Sequence, residues 1–226
     1  MCGRLTLKTP PDQWGQLLLP LLGIGVVKSN WMPRYNVAPT QNIVAIAVDC
    51  ESAERFTDYF RWGLVPSWAE DLSIGNRMIN ARAETIGEKR SFTGPLKNRR
   101  CVVIADGYYE WKTEGKLKQP FWIHPTDGGV FAMAGLWETN RRATGQPVRS
   151  CTIITTSANE KLAEVHDRMP VVLVEEALQR WLSPNFSADD APSLLKSAPK
   201  EYFDTRAVDR RVNNARIDDE DCLRPT

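Results

Sequence analysis

The residue whose type and position suggest chemistry most directly is the cysteine in the opening stretch MCGRLTL. Removal of Met1 would leave Cys2 with a free α-amine and a thiol on adjacent carbons, and small second residues generally permit that removal. Such a 1,2-aminothiol can do chemistry that neither group does alone. A thiol this close to a chain end is also compatible with an incidental cysteine, and that interpretation stays open.

Arginine and tryptophan form the second chemical pattern. The arginines of the candidate loops are Arg4, Arg34, Arg61, Arg77, Arg82, Arg99 and Arg100. Eight tryptophans are many for this length, and those in polar or turn-rich contexts are Trp31, Trp68 and Trp111. Aromatic rings beside guanidinium groups are typical of proteins that bind single-stranded nucleic acid. Core tryptophans with a solvated charged face would give the same composition, so both interpretations remain.

The composition limits the class of protein and the cellular location in which these groups act. The chain has 226 residues, 42% of them hydrophobic, and a formal net charge of +1. A charge balanced overall can still be segregated on one face, so nucleic-acid binding is neither indicated nor excluded. The sequence contains no apolar run long enough for a membrane span and no signal-peptide pattern. We therefore expect a cytoplasmic protein without a membrane partner.

The cysteines and histidines predict neither a disulfide framework nor a metal site. The five cysteines are an odd number, lie far apart and form no C-x-x-C pair. His124 and His166 are the only histidines, so a multi-histidine site is not available. Cys101 and Cys151 lie in apolar β-like runs and are expected to be inert core thiols. We expect no metal and no cofactor.

The elements that must position these groups are mainly short strands joined by turns. The stretch CVVIADGYYEWK predicts a strand interrupted at Gly107, where a bulge or a close backbone approach is expected. In SANEKLAEV, Ser157 is predicted to cap a helix, with Glu160 completing a capping box. The pattern as a whole predicts an α+β fold in a single domain, 1–226. Its sheet is expected to be mainly antiparallel and barrel-like, flanked by a few helices, with residues from about 215 to 226 forming a frayed tail.

Five short motifs in fixed order carry a family resemblance. They are MCGR, RYNVAPT, INARAET, ADGYYEWK and HDRMP. Together they resemble the SRAP (SOS response-associated peptidase) family, from Met1 to the VNN segment at 212–214. The resemblance implies the SRAP fold and a DNA-damage protein that attaches covalently to abasic sites in single-stranded DNA. Expected partners are such DNA and replication-fork junctions, bound by a monomer that associates with the nucleoid.

The physical chemistry of Cys2 agrees with this resemblance. An abasic deoxyribose exists partly as an open-chain aldehyde, to which the α-amine of a processed Cys2 can add with loss of water. The thiol can then close onto the imine carbon to give a five-membered thiazolidine, and this intramolecular step has a large effective concentration. An internal cysteine lacks the reaction because its nitrogen is an amide.

The resemblance also assigns site residues. Beside Cys2, it implies that Glu110 moves protons on and off the amine and the carbinolamine. It implies that His166 protonates the opened sugar oxygen or assists Schiff-base formation, and that Asn80 forms a hydrogen bond at the lesion. From the residue types alone, these three are equally compatible with a solvent-facing carboxylate, a polar surface histidine and a turn asparagine.

DNA contacts follow from the same matching. Arg4 and Arg82 are expected to hold phosphates, with Arg77 as a further contact, and Trp68 and Trp111 are expected to stack on or wedge between flanking bases. The residues of RYNVAPT expected to shape the pocket floor are Arg34, Asn36 and Pro39. Three acidic residues among these contacts could cap helices, orient arginines or weaken phosphate binding: Glu70, Asp71 and Glu84.

Two other functions stay open at this point. Class II glutamine amidotransferases also begin with MCG, and there the thiol attacks an amide while its own α-amine acts as the base. A non-catalytic single-strand binder would use the arginines and tryptophans and not Cys2. Within the covalent interpretation, the family name suggests peptidase action on Met1, and the Schiff base could leak into weak β-elimination (lyase) activity.

Overall fold

The computed structural model describes residues 2–14, 31–49 and 51–226, and strands dominate this part of the chain. The strands are β1 (Leu5–Leu7), β2 (Arg34–Val37), β3 (Asn42–Asp49), β4 (Glu54–Trp62), β5 (Asn80–Arg82), β6 (Arg100–Ala105), β7 (Gly107–Glu114), β8 (Leu117–Pro125), β9 (Phe131–Asn140), β10 (Val148–Ser157), β11 (Arg168–Pro170), β12 (Val172–Leu173) and β13 (Phe203–Ala207). The α-helices are α1 (Arg90–Asn98), α2 (Glu160–Ala163), α3 (Glu175–Trp181) and α4 (Ala191–Leu194). Short 3₁₀ helices span Pro11–Gln13, Leu72–Arg77, Ala83–Thr85, Ala188–Asp190, Arg210–Asn213 and Glu220–Leu223.

The strands form two sheets. The first has the order β13-β8-β7-β1-β2, and the second has the order β11-β10-β4-β3-β6-β9-β12, with β5 paired to β10. Because β9 also pairs with β10, five strands of the second sheet close into a ring. Pairing is antiparallel except where β10 meets β4 and β5. The predicted α+β class with a mainly antiparallel sheet is confirmed. The sheet that was expected to be barrel-like contains this five-stranded ring.

Strand β6 shows how the core is divided. Every residue of this strand is buried, and successive side chains face opposite sides of the sheet. Val102 and Ile104 belong to one apolar cluster, whereas Cys101 and Val103 belong to another that also contains Cys2. The predicted burial of Cys101 is confirmed. The start of the chain is therefore packed against the protein core.

Gly107 allows the N-terminal strand to lie against β7. A Cβ atom at this position would lie 2.1 Å from Nε1 of Trp122 and 2.8 Å from Oγ1 of Thr6, so no larger residue fits. The close backbone approach predicted for Gly107 is confirmed. As a result, β1 pairs with β7 in antiparallel register, with Leu5 opposite Tyr108.

The cap of α2 differs from the prediction. Ser157 ends β10 and pairs with Arg168 of β11, so its backbone is committed to the sheet. The helix is instead capped by Asn159, whose side-chain oxygen accepts a hydrogen bond from the Leu162 N–H at 3.0 Å. Two capping residues lie within three positions here, and strand pairing selects the second.

The last twelve residues are packed and do not form the frayed tail expected from their polar sequence. The carboxylate of Asp218 accepts hydrogen bonds from the backbone N–H groups of Tyr35, at 2.6 Å, and Asn36, at 2.7 Å. Cys222 is fully buried. The acidic side chain of Asp218 thus binds backbone donors of β2. No helix in the described ranges has the length and apolar character needed to cross a bilayer.

Candidate active site

The site is built around the start of the chain. Cys2 is fully buried, and its carbonyl oxygen accepts a hydrogen bond from Nδ2 of Asn80 at 2.7 Å. Two residues further on, the Arg4 carbonyl accepts from the Tyr109 N–H at 3.0 Å. Burial raises the pKa of the Cys2 thiol well above its usual range, and the nearby negative charge of Glu110 adds to this. The thiol is therefore neutral at physiological pH.

Asn80 reaches Cys2 because a parallel pairing places β5 beside β10. Asn80 is opposite Ile153, and Arg82 is opposite Thr155. Side chains alternate along a strand, so Asn80 and the exposed Arg82 share one face of β5 while the buried Ala81 faces the core. The Oδ1 atom of Asn80 is buried and has no hydrogen-bond partner among the described residues. Asn80 therefore anchors the backbone of Cys2 and keeps an acceptor available for a bound molecule.

Glu110 is the buried carboxylate of the site. It lies on β7, is only 2% exposed, and its Oε2 is 3.9 Å from Nε2 of His166. Burial raises the pKa of Glu110 to about 7, and the negative charge of Asp167 adds to this. A carboxyl group with such a pKa can both accept and donate a proton at physiological pH.

His166 is held so that its Nε2 faces Glu110. Its backbone N–H donates to the Leu162 carbonyl at 3.0 Å, which fixes the residue after α2. Nδ1 accepts the Arg168 backbone N–H at 3.0 Å, and the exposed Asp167 carboxylate lies equally close to Nδ1. Burial lowers the pKa of His166, which favours the neutral ring. Because the Arg168 N–H requires a lone pair on Nδ1, the neutral ring carries its proton on Nε2.

A cavity of about 340 Å³ opens onto this pair. It is lined by Glu110, Trp111, Lys118, His166 and Asn213. Another cavity, of about 280 Å³, lies against apolar residues such as Leu7 and Tyr59, and Arg34 is the predicted site residue among its lining. The first cavity is the better candidate for substrate because it contains the two residues with opposite pKa shifts.

Arg4 is engaged within the protein. One terminal nitrogen donates to Oδ1 of Asn36 at 2.7 Å and to the Val212 carbonyl at 2.5 Å, and the other donates to the Asn213 carbonyl at 3.3 Å. Its guanidinium carbon lies 5.9 Å from the centre of the Trp111 ring. Arg4 thus braces the wall of the cavity, and its predicted phosphate contact would come in addition to these bonds.

The residues of RYNVAPT support the cavity wall that Arg4 contacts, through residues near the C-terminus. Asn36 is fully buried, and its Nδ2 donates to the carbonyls of Val212, Asn214 and Ile217. It therefore holds the C-terminal segment (residues 212–218) in place, and its predicted contribution to the pocket floor would be made through that segment. Arg34 is paired with Asp218 and Gln41, and the partly exposed Pro39 lies in the turn before β3.

The other predicted DNA contacts are exposed. Trp68 is 45% exposed, and the guanidinium carbon of Arg90 lies 5.9 Å from the centre of its ring. Arg77 is exposed at the end of the 3₁₀ helix Leu72–Arg77. The structure brings Asn80, Glu110 and His166 to Cys2, with Trp111 beside them, whereas no described contact joins Trp68 or Arg77 to this group.

Two of the three acidic residues that lie among the predicted DNA contacts, Asp71 and Glu84, have structural roles. Asp71 caps the 3₁₀ helix by accepting the Ser73 N–H at 2.5 Å, and Glu84 binds both terminal nitrogens of Arg168, at 2.7 and 2.9 Å. Each carboxylate therefore caps or orients, as two of the sequence-based alternatives foresaw. Nothing in the structure assigns a role to Glu70.

Sequence reasoning missed two residues of the cavity wall, Lys118 and Asn213. Oδ1 of Asn213 accepts the Nε1–H of Trp111 at 2.7 Å, which fixes the indole ring at the cavity edge. The VNN stretch at 212–214 had marked the end of the resemblance, and this was the available signal for Asn213. Lys118 lies in a polar turn-and-strand region that gives no such signal.

A family model described as SOS response associated peptidase (SRAP) matches residues 1–215. The chain belongs to the SRAP family. Its relatives include abasic site processing protein YoqW of Bacillus subtilis (strain 168), 41% identical over 218 residues that cover 95% of each chain. Abasic site processing protein YedK of Escherichia coli (strain K12) is 32% identical over 194 residues, covering 85% of this chain and 84% of YedK.

The fold agrees with this SRAP assignment. A crystal structure of a protein from Bacteroides thetaiotaomicron superposes with a TM-score of 0.85 at 27% identity, covering 100% of both chains. The resemblance drawn from the five motifs is therefore confirmed for the family and the fold. Within the described residues, no group of three or more His, Cys, Asp and Glu side chains is arranged to hold a metal ion.

Proposed function

We propose that this SRAP protein recognises abasic sites in single-stranded DNA and forms a reversible thiazolidine crosslink through Cys2 once Met1 is removed. The crosslink would shield the site from strand cleavage during replication. The observation that carries the proposal is the convergence of three elements on the start of the chain. Asn80 binds the Cys2 backbone at 2.7 Å, while Glu110 and His166, 3.9 Å apart, line the adjacent cavity. The names of the relatives point to the same substrate.

The proposed reaction proceeds in two bond-forming steps. The Cys2 amine attacks the aldehyde carbon of the opened sugar, and the resulting carbinolamine loses water to give a Schiff base. The thiol sulfur then bonds to the imine carbon, and the thiol proton ends on the nitrogen. The raised pKa of the thiol supports this order, because a neutral thiol leaves the amine as the first nucleophile.

Glu110 and His166 divide the proton transfers. With a pKa of about 7, Glu110 takes a proton from the attacking amine and returns it to the hydroxyl that leaves as water. The neutral His166, with its proton on Nε2, donates to the sugar ring oxygen as the ring opens. The buried Oδ1 of Asn80 accepts a hydrogen bond from the bound sugar or from the amine.

We further propose that exposed groups around the cavity hold the strand without reading sequence. Arg82 shares a strand face with Asn80 and would meet a phosphate near the lesion, as would Lys118 on the cavity wall. Trp111, held by Asn213, and the exposed Trp68 would stack on flanking bases. Arg77 would contribute a further phosphate contact.

A denaturing gel with a single-stranded oligonucleotide containing one abasic site tests the proposal. Wild-type protein should form a band that survives denaturation without reductant, whereas Cys2→Ser protein should form one only when borohydride traps the Schiff base. Protein that binds the oligonucleotide in a native gel but forms no denaturation-resistant band, with or without borohydride, would favour a non-catalytic binder. Release of ammonia from glutamine, with no DNA adduct, would favour an amidohydrolase instead.

Two further activities belong to the same chemistry. A Schiff base that fails to close can lose the 3′ phosphate by β-elimination, so Cys2→Ser protein should nick abasic DNA faster than wild type. Self-processing at Met1 requires that a catalytic variant retain Met1 when expressed in cells where wild type loses it. Mass spectrometry of the N-terminal peptide of both proteins measures this directly, provided that trimming by ordinary aminopeptidases is excluded in both cases.

A further inference from the structure

Tyr108 has a buried hydroxyl that packing does not explain. Its side chain is fully buried, and the hydroxyl has no hydrogen-bond partner among the residues described. The ring is held edge-on by Phe203, with centroids 5.7 Å apart. Buried hydroxyls are normally hydrogen-bonded, because moving them out of water without a partner is unfavourable. The adjacent Tyr109 follows this rule and donates to the Tyr35 carbonyl at 2.8 Å.

The side chain of Tyr108 lies on the face of β7 that carries Glu110. Alternation along the strand puts Tyr108 and Glu110 on one face and Tyr109 and Trp111 on the other. Tyr108 and Cys2 are members of the same apolar cluster, whereas Tyr109 packs in a separate one. Burial raises the pKa of Tyr108, and the charges of Cys2 and Glu110 raise it further, so these are its ionisable neighbours.

We propose that Tyr108 positions the Cys2 sulfur for ring closure by donating a hydrogen bond from its hydroxyl to that sulfur. The inference rests on the proposed function and adds a residue to it. As the sulfur bonds to the imine carbon, its proton passes to the imine nitrogen and no other atom is gained or lost. Tyr108 keeps its own proton and stabilises the negative charge that develops on sulfur.

Two other polar groups described near Cys2 are less suited to this role. Asn80 Nδ2 is already bonded to the Cys2 carbonyl, and Glu110 contributes negative charge, which opposes a thiolate. A buried donor on the same strand face as Glu110 is therefore the group that can favour the reactive form of sulfur. The hydroxyl that lacks a partner among the described residues thus gains one during the reaction.

The first test requires no DNA. Processed wild-type, Tyr108→Phe and Tyr109→Phe proteins would be treated with methyl methanethiosulfonate between pH 6 and 10, and modification of the N-terminal peptide followed by mass spectrometry. The proposal predicts that Tyr108→Phe moves the pH profile of Cys2 upward, with about 10-fold slower modification at pH 8. Tyr109→Phe, which removes a hydroxyl from the opposite strand face, should leave the profile unchanged.

The second test separates the two steps on abasic DNA. Tyr108→Phe should form the borohydride-trappable Schiff base at the wild-type rate but convert it to the stable adduct several-fold more slowly. A wild-type pH profile and conversion rate in Tyr108→Phe would overturn the proposal, as would an equal shift in Tyr109→Phe. If wild-type protein forms no adduct while Tyr108→Phe still shifts the thiol profile, the proposed function fails and the Tyr108 contact stands.

Discussion

Glu110 and His166 illustrate how burial sets opposite proton affinities in two neighbouring side chains. The same loss of hydration raises the pKa of the carboxyl group to about 7 and lowers that of the imidazole. Both groups are therefore disfavoured in their charged forms, although they lie 3.9 Å apart. A pair of this kind is suited to proton transfer near neutral pH and contributes little as a structural salt bridge.

The raised pKa of Glu110 predicts a pH-dependent stability. Between about pH 4.5 and 7 the folded protein keeps a proton that the unfolded chain has released, so the free energy of unfolding falls as the pH rises through this range. Glu110→Gln mimics the protonated form and should be more stable than wild type at pH 8, by up to about 3 kcal/mol. Urea unfolding at pH 5 and pH 8 measures the difference.

Glu138→Gln is the matched control for this prediction. Glu138 is also a buried glutamate, but its carboxylate is paired with Nε of Arg99 at 3.1 Å. Its replacement breaks an ion pair and should destabilise the protein at both pH values. A Glu110→Gln protein that gains no stability at pH 8 relative to pH 5 would show that Glu110 is ionised in the folded state across this range.

At the scale of elements, the C-terminal segment is the part that shapes the cavity. The side chain of Asn36 joins it to β2 through three carbonyls, and Arg4 joins it to β1 through the carbonyls of Val212 and Asn213. Trp111 depends on this segment because its indole N–H is bound by Asn213. The segment thus forms a wall of the site and is also hydrogen-bonded to the first sheet.

Asn36→Ala should loosen this wall. The change removes three hydrogen bonds to carbonyls of this segment and the Asn36 acceptor of Arg4, and we expect a loss of about 2–4 kcal/mol in the free energy of unfolding. DNA binding should weaken as well, since Trp111 loses its support. Thermal unfolding and hydrogen exchange of the 209–218 backbone measure the loss of stability, and fluorescence anisotropy with abasic single-stranded DNA measures the loss of binding. Thr93→Ala, which removes only an exposed 3.3 Å bond, is the control and should leave both unchanged.

The sequence predicted much of this site because its motifs are short and local. The stretch YYEWK is enough to place Glu110 on a strand. The position of Cys2 is enough to suggest a 1,2-aminothiol once Met1 is removed. The bond from Asn80 to Cys2 depends on the parallel pairing of β5 with β10, a contact between distant segments that no local pattern reveals. Asp218 looked like part of a polar tail, because sequence does not show that β2 presents backbone donors to it.

At the scale of the molecule, the net charge is small, so any attraction for DNA must come from individual cationic side chains. A net charge of +1 provides little long-range attraction for DNA. Arg4 already donates hydrogen bonds to protein acceptors, so exposed cations such as Arg82 are the better sources of the proposed phosphate contacts. The expected monomeric state and cytoplasmic location stay predictions that sedimentation and cell fractionation can test.

Arg82→Gln should therefore reduce the salt dependence of binding to abasic single-stranded DNA. Loss of one phosphate contact is expected to lower the slope of log K against log salt by about 0.7. Arg141→Gln removes an exposed arginine that has no predicted DNA role, and it should leave the slope unchanged. Fluorescence anisotropy with Cys2→Ala protein isolates non-covalent binding. Equal slopes for all three proteins would remove Arg82 from the phosphate contacts.

Intact mass spectrometry after incubation with an abasic oligonucleotide tests the central claim most directly. The account predicts a species whose mass is that of the protein without Met1 plus the oligonucleotide minus one water, and which stays unchanged on later borohydride treatment. Digestion should place the linkage on Cys2. An unmodified protein, a linkage on any lysine, or an adduct formed while Met1 is still attached would contradict the account.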